Sequence, residues 1–129
     1  MQTKNLVQSV TVRATPHDVF ETLMDSRRHA KLIGASAKIG RKPGDAFNVW
    51  GGSIEGRTLE LVKVKRIVQT WRSSDWPKVH YSNAVFDLAK TKDGTRLTLT
   101  QTGIPADRYT DIKQGWQDYY WDPMKELFS

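Results

Sequence analysis

The ending of this chain constrains its fold more than any other feature. Residues 107–128 place Ile112, Trp116, Tyr119/Tyr120, Pro123 and Leu127 at the three-to-four spacing of one buried helix face. Almost everything between residue 35 and that helix is patterned for strands. Ala35–Ile39 is short, Pro43-Gly44 signals a turn, and Ala46–Trp50 is followed by Gly51-Gly52, a hairpin signal. Ser53–Val62 is a longer strand whose apolar parity switches between Ile54 and Leu59, which predicts a bulge near Gly56. Arg66–Arg72 follows, then a corner at Asp75-Trp76-Pro77. Tyr81–Ala89 and Thr95–Gln101 form a hairpin about Lys92-Asp93-Gly94.

Before this run, residues 6–14 alternate as a strand. Thr15-Pro16-His17-Asp18 opens a helix, with Thr15 as N-cap and Pro16 in the first turn. A second short helix is predicted over about 26–33. Strand, two short helices, about six antiparallel strands and one long helix make an α+β arrangement. The sheet is expected to curve, with the last helix across its concave side. A single helix does not fill a wide curved sheet, so a cavity is expected between them. Gly115, costly in a helix interior, suggests close approach of the helix to a flat neighbour. Pro123 is expected to kink the last turns.

The 129 residues read as one domain over 1–129, without repeat, linker or low-complexity stretch. Cysteine is absent, which excludes disulfides, thiol nucleophiles and cysteine-ligated metals. No apolar run reaches the roughly 20 residues of a membrane helix. The first residues hold no signal-peptide apolar region, so a cytoplasmic protein is expected.

Charge is unevenly spread. Residues 1–72 hold 13 Lys and Arg against 6 Asp and Glu, and residues 73–129 hold 7 against 8. Arg27, Arg28, Lys31, Lys38, Arg41 and Lys42 cluster with no acid between Asp25 and Asp45, and Lys63, Lys65 and Arg66 form a second knot. Such a field steers an acidic partner, or is a solvated face with no specific partner. No helix-turn-helix or aromatic RNA-binding motif accompanies it, which argues against nucleic acid.

The residues that carry chemistry are sparse. His17, His29 and His80 lack metal-ligand spacing to one another or to an acid, and structural or surface roles are expected for them. Phosphate-loop, dinucleotide and nucleophile-elbow motifs are absent. Asp111, Asp118 and Asp122 read as a solvated helix face. No catalytic centre, cofactor or metal site is predicted. The aromatics say more. Phe47, Trp50, Trp71, Phe86, Trp116 and Tyr120 would line the gap between sheet and helix, either filling the core or walling a pocket for an aromatic or lipid-like ligand. Trp76, at its corner, either packs over Pro77 or is exposed as a partner contact.

Several stretches together resemble a known family. They are Ala14-Thr15-Pro16-His17-Asp18-Val19-Phe20, Phe47-x-x-Trp50-Gly51-Gly52-Ser53-Ile54-x-Gly56, Lys65-Arg66-Ile67-Val68-Gln69-x-Trp71-Arg72, Asp75-Trp76-Pro77, Gly94-Thr95-x-Leu97-x-Leu99-x-Gln101-x-Gly103-Ile104-Pro105 and Gly115-Trp116-x-x-Tyr119-Tyr120. From Ala14 to Phe128 the chain resembles the activator homologues of the 90-kDa heat-shock protein ATPase. The resemblance implies the helix-grip fold of the START-like (SRPBCC) superfamily, of Bet v type. It also implies a non-catalytic co-chaperone or protein-interaction module whose partner is a 90-kDa-class heat-shock chaperone. The alternative it leaves open is a carrier of a small hydrophobic or aromatic ligand.

Overall fold

The computed structural model describes residues 1–129. Strand β1 (Thr3–Val12) leads into helices α1 (Pro16–Met24) and α2 (Ser26–Ile33). Strands β2 (Ala37–Ile39), β3 (Ala46–Val49), β4 (Ile54–Val62), β5 (Arg66–Ser73), β6 (Ser82–Thr91) and β7 (Gly94–Pro105) follow. The chain closes with α3 (Tyr109–Trp116), a π turn over Gln117–Trp121, and α4 (Asp122–Leu127), which run on as one helical rod. All strand pairs are antiparallel, in the order β1-β7-β6-β5-β4-β3-β2. Each strand from β2 to β7 pairs with its neighbour in sequence, and β1 closes the far side on β7. The curved sheet wraps the C-terminal helix.

Local chemistry fixes the helix starts. Thr15 Oγ1 accepts the Asp18 amide at 3.1 Å, and Asp25 Oδ2 accepts the Arg28 amide at 2.9 Å. Gly34, at φ 68°, ends α2 in the left-handed conformation that glycine tolerates.

The period of two places the core. Leu6, Val10 and Val12 of β1, Leu97 and Leu99 of β7, Ala84, Phe86 and Leu88 of β6, and Ile67 and Trp71 of β5 all face inward and are buried. Trp116, Tyr120, Trp121 and Met124 of the terminal helix meet them.

Three expectations need correction. The bulge lies at Leu59, between the pairs Thr58↔Gln69 and Glu60↔Val68, and not at Gly56. Gly56 is there for a different reason: a Cβ on it would sit 1.9 Å from the Thr70 carbonyl oxygen and 2.9 Å from Phe47 Cε1. The β3 strand stops at Val49, because Trp50, Gly51 and Gly52 all take positive φ and form a tight turn. The terminal helix opens a π turn over Gln117–Trp121, immediately ahead of Pro123, and the inward face changes there. Proline lacks an amide proton and crowds the preceding turn, and the wider turn accommodates both effects. In that turn residue i+5 comes round to residue i, so Trp121 stacks on Trp116 at 5.5 Å with planes 14° apart. Trp121 and Met124 are therefore buried, while Tyr119 and Leu127 are exposed.

Gly56→Ala forces β4 and β5 apart and lowers stability by about 2–3 kcal/mol, as expected of an overpacked site. Urea unfolding measures this, and an unchanged midpoint would show that the strands separate without cost.

Candidate functional site

The terminal helix and the sheet meet in two zones. The first is closed. A cavity of about 20 Å³ is walled by Phe47, Trp71, Phe86, Trp116 and Tyr120, together with His29 and Gln69. That is space for about one water. At this end of the gap between sheet and helix the aromatic side chains fill the space, while a larger space opens at the other end.

Several interior polar groups pair with one another, while the buried Trp76 indole N–H has no partner. The Trp116 indole N–H donates to Gln101 Oε1 at 2.8 Å, and Gln101 Nε2 donates to Ser82 Oγ at 2.9 Å. Ser82 Oγ in turn donates to the Trp71 carbonyl at 2.7 Å. Because an indole only donates, Oε1 must face Trp116, which leaves the amide nitrogen for Ser82. This chain ties the terminal helix to β7, β6 and β5.

A second tie crosses to α2. His29 Nδ1–H donates to the Leu23 carbonyl at 2.9 Å. A carbonyl only accepts, so the ring's proton is on Nδ1, and Nε2 accepts the Tyr120 hydroxyl at 2.7 Å. Burial holds the His29 pKa below its ordinary value, partly opposed by the bond to Leu23. Burial pushes the Tyr120 phenol well above its ordinary range. The pair is a neutral imidazole and a neutral phenol.

The second zone is open. A groove of about 250 Å³ lies at the mouth between β4 and α3, lined by Trp50, Ser53, Ile54, Asp111, Ile112, Gly115 and Tyr119, with Trp71, Trp116 and Tyr120 at its floor. Trp50 meets Tyr119 edge-to-face at 5.4 Å. At φ 53° Trp50 stands in a left-handed conformation costly for a bulky residue. Its amide donates to the Ser36 carbonyl at 3.0 Å, and the Gly51 amide donates to Ser36 Oγ at 2.9 Å, which holds the turn. Gly115 faces open space: a Cβ added there meets nothing within 4 Å. The expected flat neighbour of Gly115 is absent, and the groove occupies its place.

The predicted site residues fall into separate places. Phe47, Trp71, Phe86, Trp116 and Tyr120 come together around the closed interior, while Trp50 is held out at the groove. Arg27, Arg28, Lys31, Lys38, Arg41 and Lys42 are all exposed on α2, β2 and the loop after it. Arg41 pairs with Glu21 at 2.7 Å and Arg28 approaches Asp18 at 3.6 Å, whereas Arg27, Lys31, Lys38 and Lys42 have no acidic partner. Trp76 is not an exposed contact. It is 4% exposed, with its ring between Trp71 and His80 at 5.5 and 5.9 Å. Two histidines turn out to be structural: His29 as above, and His80, whose Nε2–H donates to the Gly103 carbonyl at 2.7 Å. No group of three His, Asp or Glu side chains is arranged to hold a metal ion. No helix is long and apolar enough to cross a membrane.

A curved antiparallel sheet gripping one C-terminal helix defines a helix-grip protein of START-like type. The family model described as "Activator of Hsp90 ATPase homolog 1-like protein" matches residues 13–129, and the chain belongs to that family. An uncharacterised Schizosaccharomyces pombe protein is 30% identical over the full 129 residues, which cover 38% of that protein. The Homo sapiens activator of 90 kDa heat shock protein ATPase homolog 1 is 27% identical over 92% of this chain and 35% of its own length. The chain thus spans little more than a third of these relatives. The crystal structure of an HSP90 activator from Plasmodium falciparum superposes with TM-score 0.90 at 25% identity, covering 95% of this chain and 94% of that one. A Mesorhizobium loti protein at 21% identity shares the fold, with TM-score 0.83.

Two measurements probe the site. His29 binds protons less readily when folded than when unfolded, so its contribution is complete above its ordinary pKa of about 6.5 and is lost as pH falls below it. The melting temperature should drop between about pH 7 and pH 5, and less so in His29→Asn; equal slopes in the two proteins would remove His29 as the cause. Gly115→Ala should raise stability by about 1 kcal/mol in chemical unfolding, because the helix gains propensity and nothing is displaced. A loss would place an unseen neighbour over Gly115.

Proposed function

We propose that this domain is a non-catalytic co-chaperone-type module that binds a 90-kDa-class heat-shock chaperone in the cytoplasm. Membership in the activator family supports the reading, as do relatives that carry the chaperone activator name over this same segment. The observation that carries it for this chain is the exposed cationic crescent of Arg27, Lys31, Lys38 and Lys42, which has no internal counter-charge. Arg28 and Arg41 extend the crescent while their own acids tether them. Unneutralised cations on a rigid helix and strand steer an acidic protein surface and fix its register more than they add raw affinity. The filled interior supports a surface mode of action over transport inside the sheet.

Binding to the purified chaperone and stimulation of its ATPase test this reading. Affinity should fall steeply as ionic strength rises past about 0.1 M, where the Debye length is about 10 Å. The triple reversal Lys31→Glu, Lys38→Glu, Lys42→Glu should weaken binding at least about tenfold, chiefly through the association rate. These residues are exposed and unpaired, so the fold should survive their reversal. Absence of both binding and stimulation at low salt would overturn the reading.

A further inference from the structure

We propose that one end of the sheet, where the β4–β5 and β6–β7 turns stand beside the close of β1, docks on an anionic phospholipid membrane.

The fold gathers the charge there. Lys63 and Lys65 stand in the β4–β5 turn, Lys90 and Lys92 at the β6–β7 turn, Arg96 on β7 and Arg13 just past β1. All six are exposed, and none makes an ion pair or a side-chain hydrogen bond. Arg66 stands beside them, held by Asp87 at 3.1 Å. Glu60 and Asp93 are the acids left free nearby, two against six. Neighbouring strands lie about 4.8 Å apart, so the five strands from β4 to β1 spread these cations over about 20 Å. At the other end of the same strands charges pair off instead, Arg72 with Glu55 and Arg108 with Asp75.

The basic end is firmly built. The Leu88 amide donates to the Lys65 carbonyl at 2.9 Å, which fastens the β4–β5 turn to β6. The Thr95 hydroxyl donates to the Ala14 carbonyl at 2.8 Å, which fastens β7 to the chain after β1. A shallow depression of about 740 Å³ lies between Arg13, Lys90 and Lys92, with Thr15, Thr91 and Asp93 also on its wall. Both threonine oxygens already accept a backbone amide, so their hydroxyl protons are available to a headgroup phosphate.

Two features favour a lipid surface over a soluble polyanion. Val62 and Val64 alternate with Lys63 and Lys65. Val62 is exposed, and Val64 stands at φ 67°, third in a turn closed by the Lys65 amide on the Val62 carbonyl at 2.9 Å. That position favours glycine. Branched apolar side chains kept at a strained turn apex between lysines fit shallow insertion among headgroups, with the ammonium groups reaching the phosphates. No aromatic side chain occurs in residues 11–15, 60–66 or 87–96, so nucleic-acid bases have nothing there to stack on. The inference does not rest on the chaperone reading, because this end and the cationic crescent share no residue.

The test is sedimentation of the whole chain with vesicles of phosphatidylcholine, with and without phosphatidylserine, beside binding to soluble polyglutamate and to single-stranded RNA. Serine-lipid vesicles should bind at least about tenfold more tightly than phosphatidylcholine alone, and the preference should fade as salt rises. Lys63→Glu, Lys65→Glu, Lys90→Glu and Lys92→Glu together should remove the preference with little change in the unfolding midpoint. Reversal of Lys31, Lys38 and Lys42 should change it less than about twofold. Val64→Gly should raise the unfolding midpoint and weaken vesicle binding at least about threefold, while leaving polyglutamate binding unchanged. Equal sedimentation with both vesicles, or loss on reversal of the crescent in place of the basic end, would overturn the assignment. Tighter binding to polyglutamate or RNA, with Val64→Gly without effect on vesicles, would give this end to a soluble acidic partner and overturn it equally.

Discussion

The indole of Trp116 stands between Trp71 at 5.6 Å and Trp121 at 5.5 Å, against Tyr120 at 4.7 Å and Phe86 at 5.7 Å, with its N–H on Gln101. The rest of the structure depends on that placement. A ring fixed on several sides sets the rotation of the terminal helix about its own axis. That rotation carries Tyr120 to His29 and Met124 to the core, and it leaves Tyr119 and Asp111 outward. The hydrogen bond adds direction to what stacking alone would leave free to slide.

Filling the interior in this way divides the labour of the domain. A helix-grip sheet that keeps a void under its helix holds its ligand inside. Here the closed interior is about one water in size, and the larger space of about 250 Å³ opens outward between β4 and α3. The cationic crescent sits on α2 and β2, and the groove sits where α3 leaves the sheet. His29 and Tyr120 join α2, which carries Arg27 and Lys31, to the terminal helix and its aromatic core.

Much of this was legible in the residues. Thr15 is a local cap, and a local hydrogen bond does not need the rest of the fold to be read. The period of two puts Leu97 and Leu99 on one face of β7 and Thr98 and Thr100 on the other, and both leucines are buried. The terminal helix misled in its second half. A period of 3.6 points inward at Pro123 and Leu127, whereas the π turn brings in Trp121 and Met124; Pro123 was the visible sign that the period would break. Trp76 was ambiguous because its cover, Trp71 and His80, comes from other segments. The bond between His29 and Tyr120 spans 91 positions and has no local signal. The open space between sheet and helix was expected with Trp50, Trp71, Trp116 and Tyr120 on its lining, whereas Ser53, Asp111 and Gly115, from distant parts of the chain, were not placed there.

A double-mutant cycle at Trp116 and Gln101 tests the central claim most directly. Trp116→Phe keeps a ring and removes the N–H, and Gln101→Leu keeps volume and removes the acceptor. The account predicts a coupling energy of about 1–2 kcal/mol between them in equilibrium unfolding, as for a buried hydrogen bond whose loss orphans its partner. Additive single effects would contradict it and would show that the helix is held by apolar contact alone.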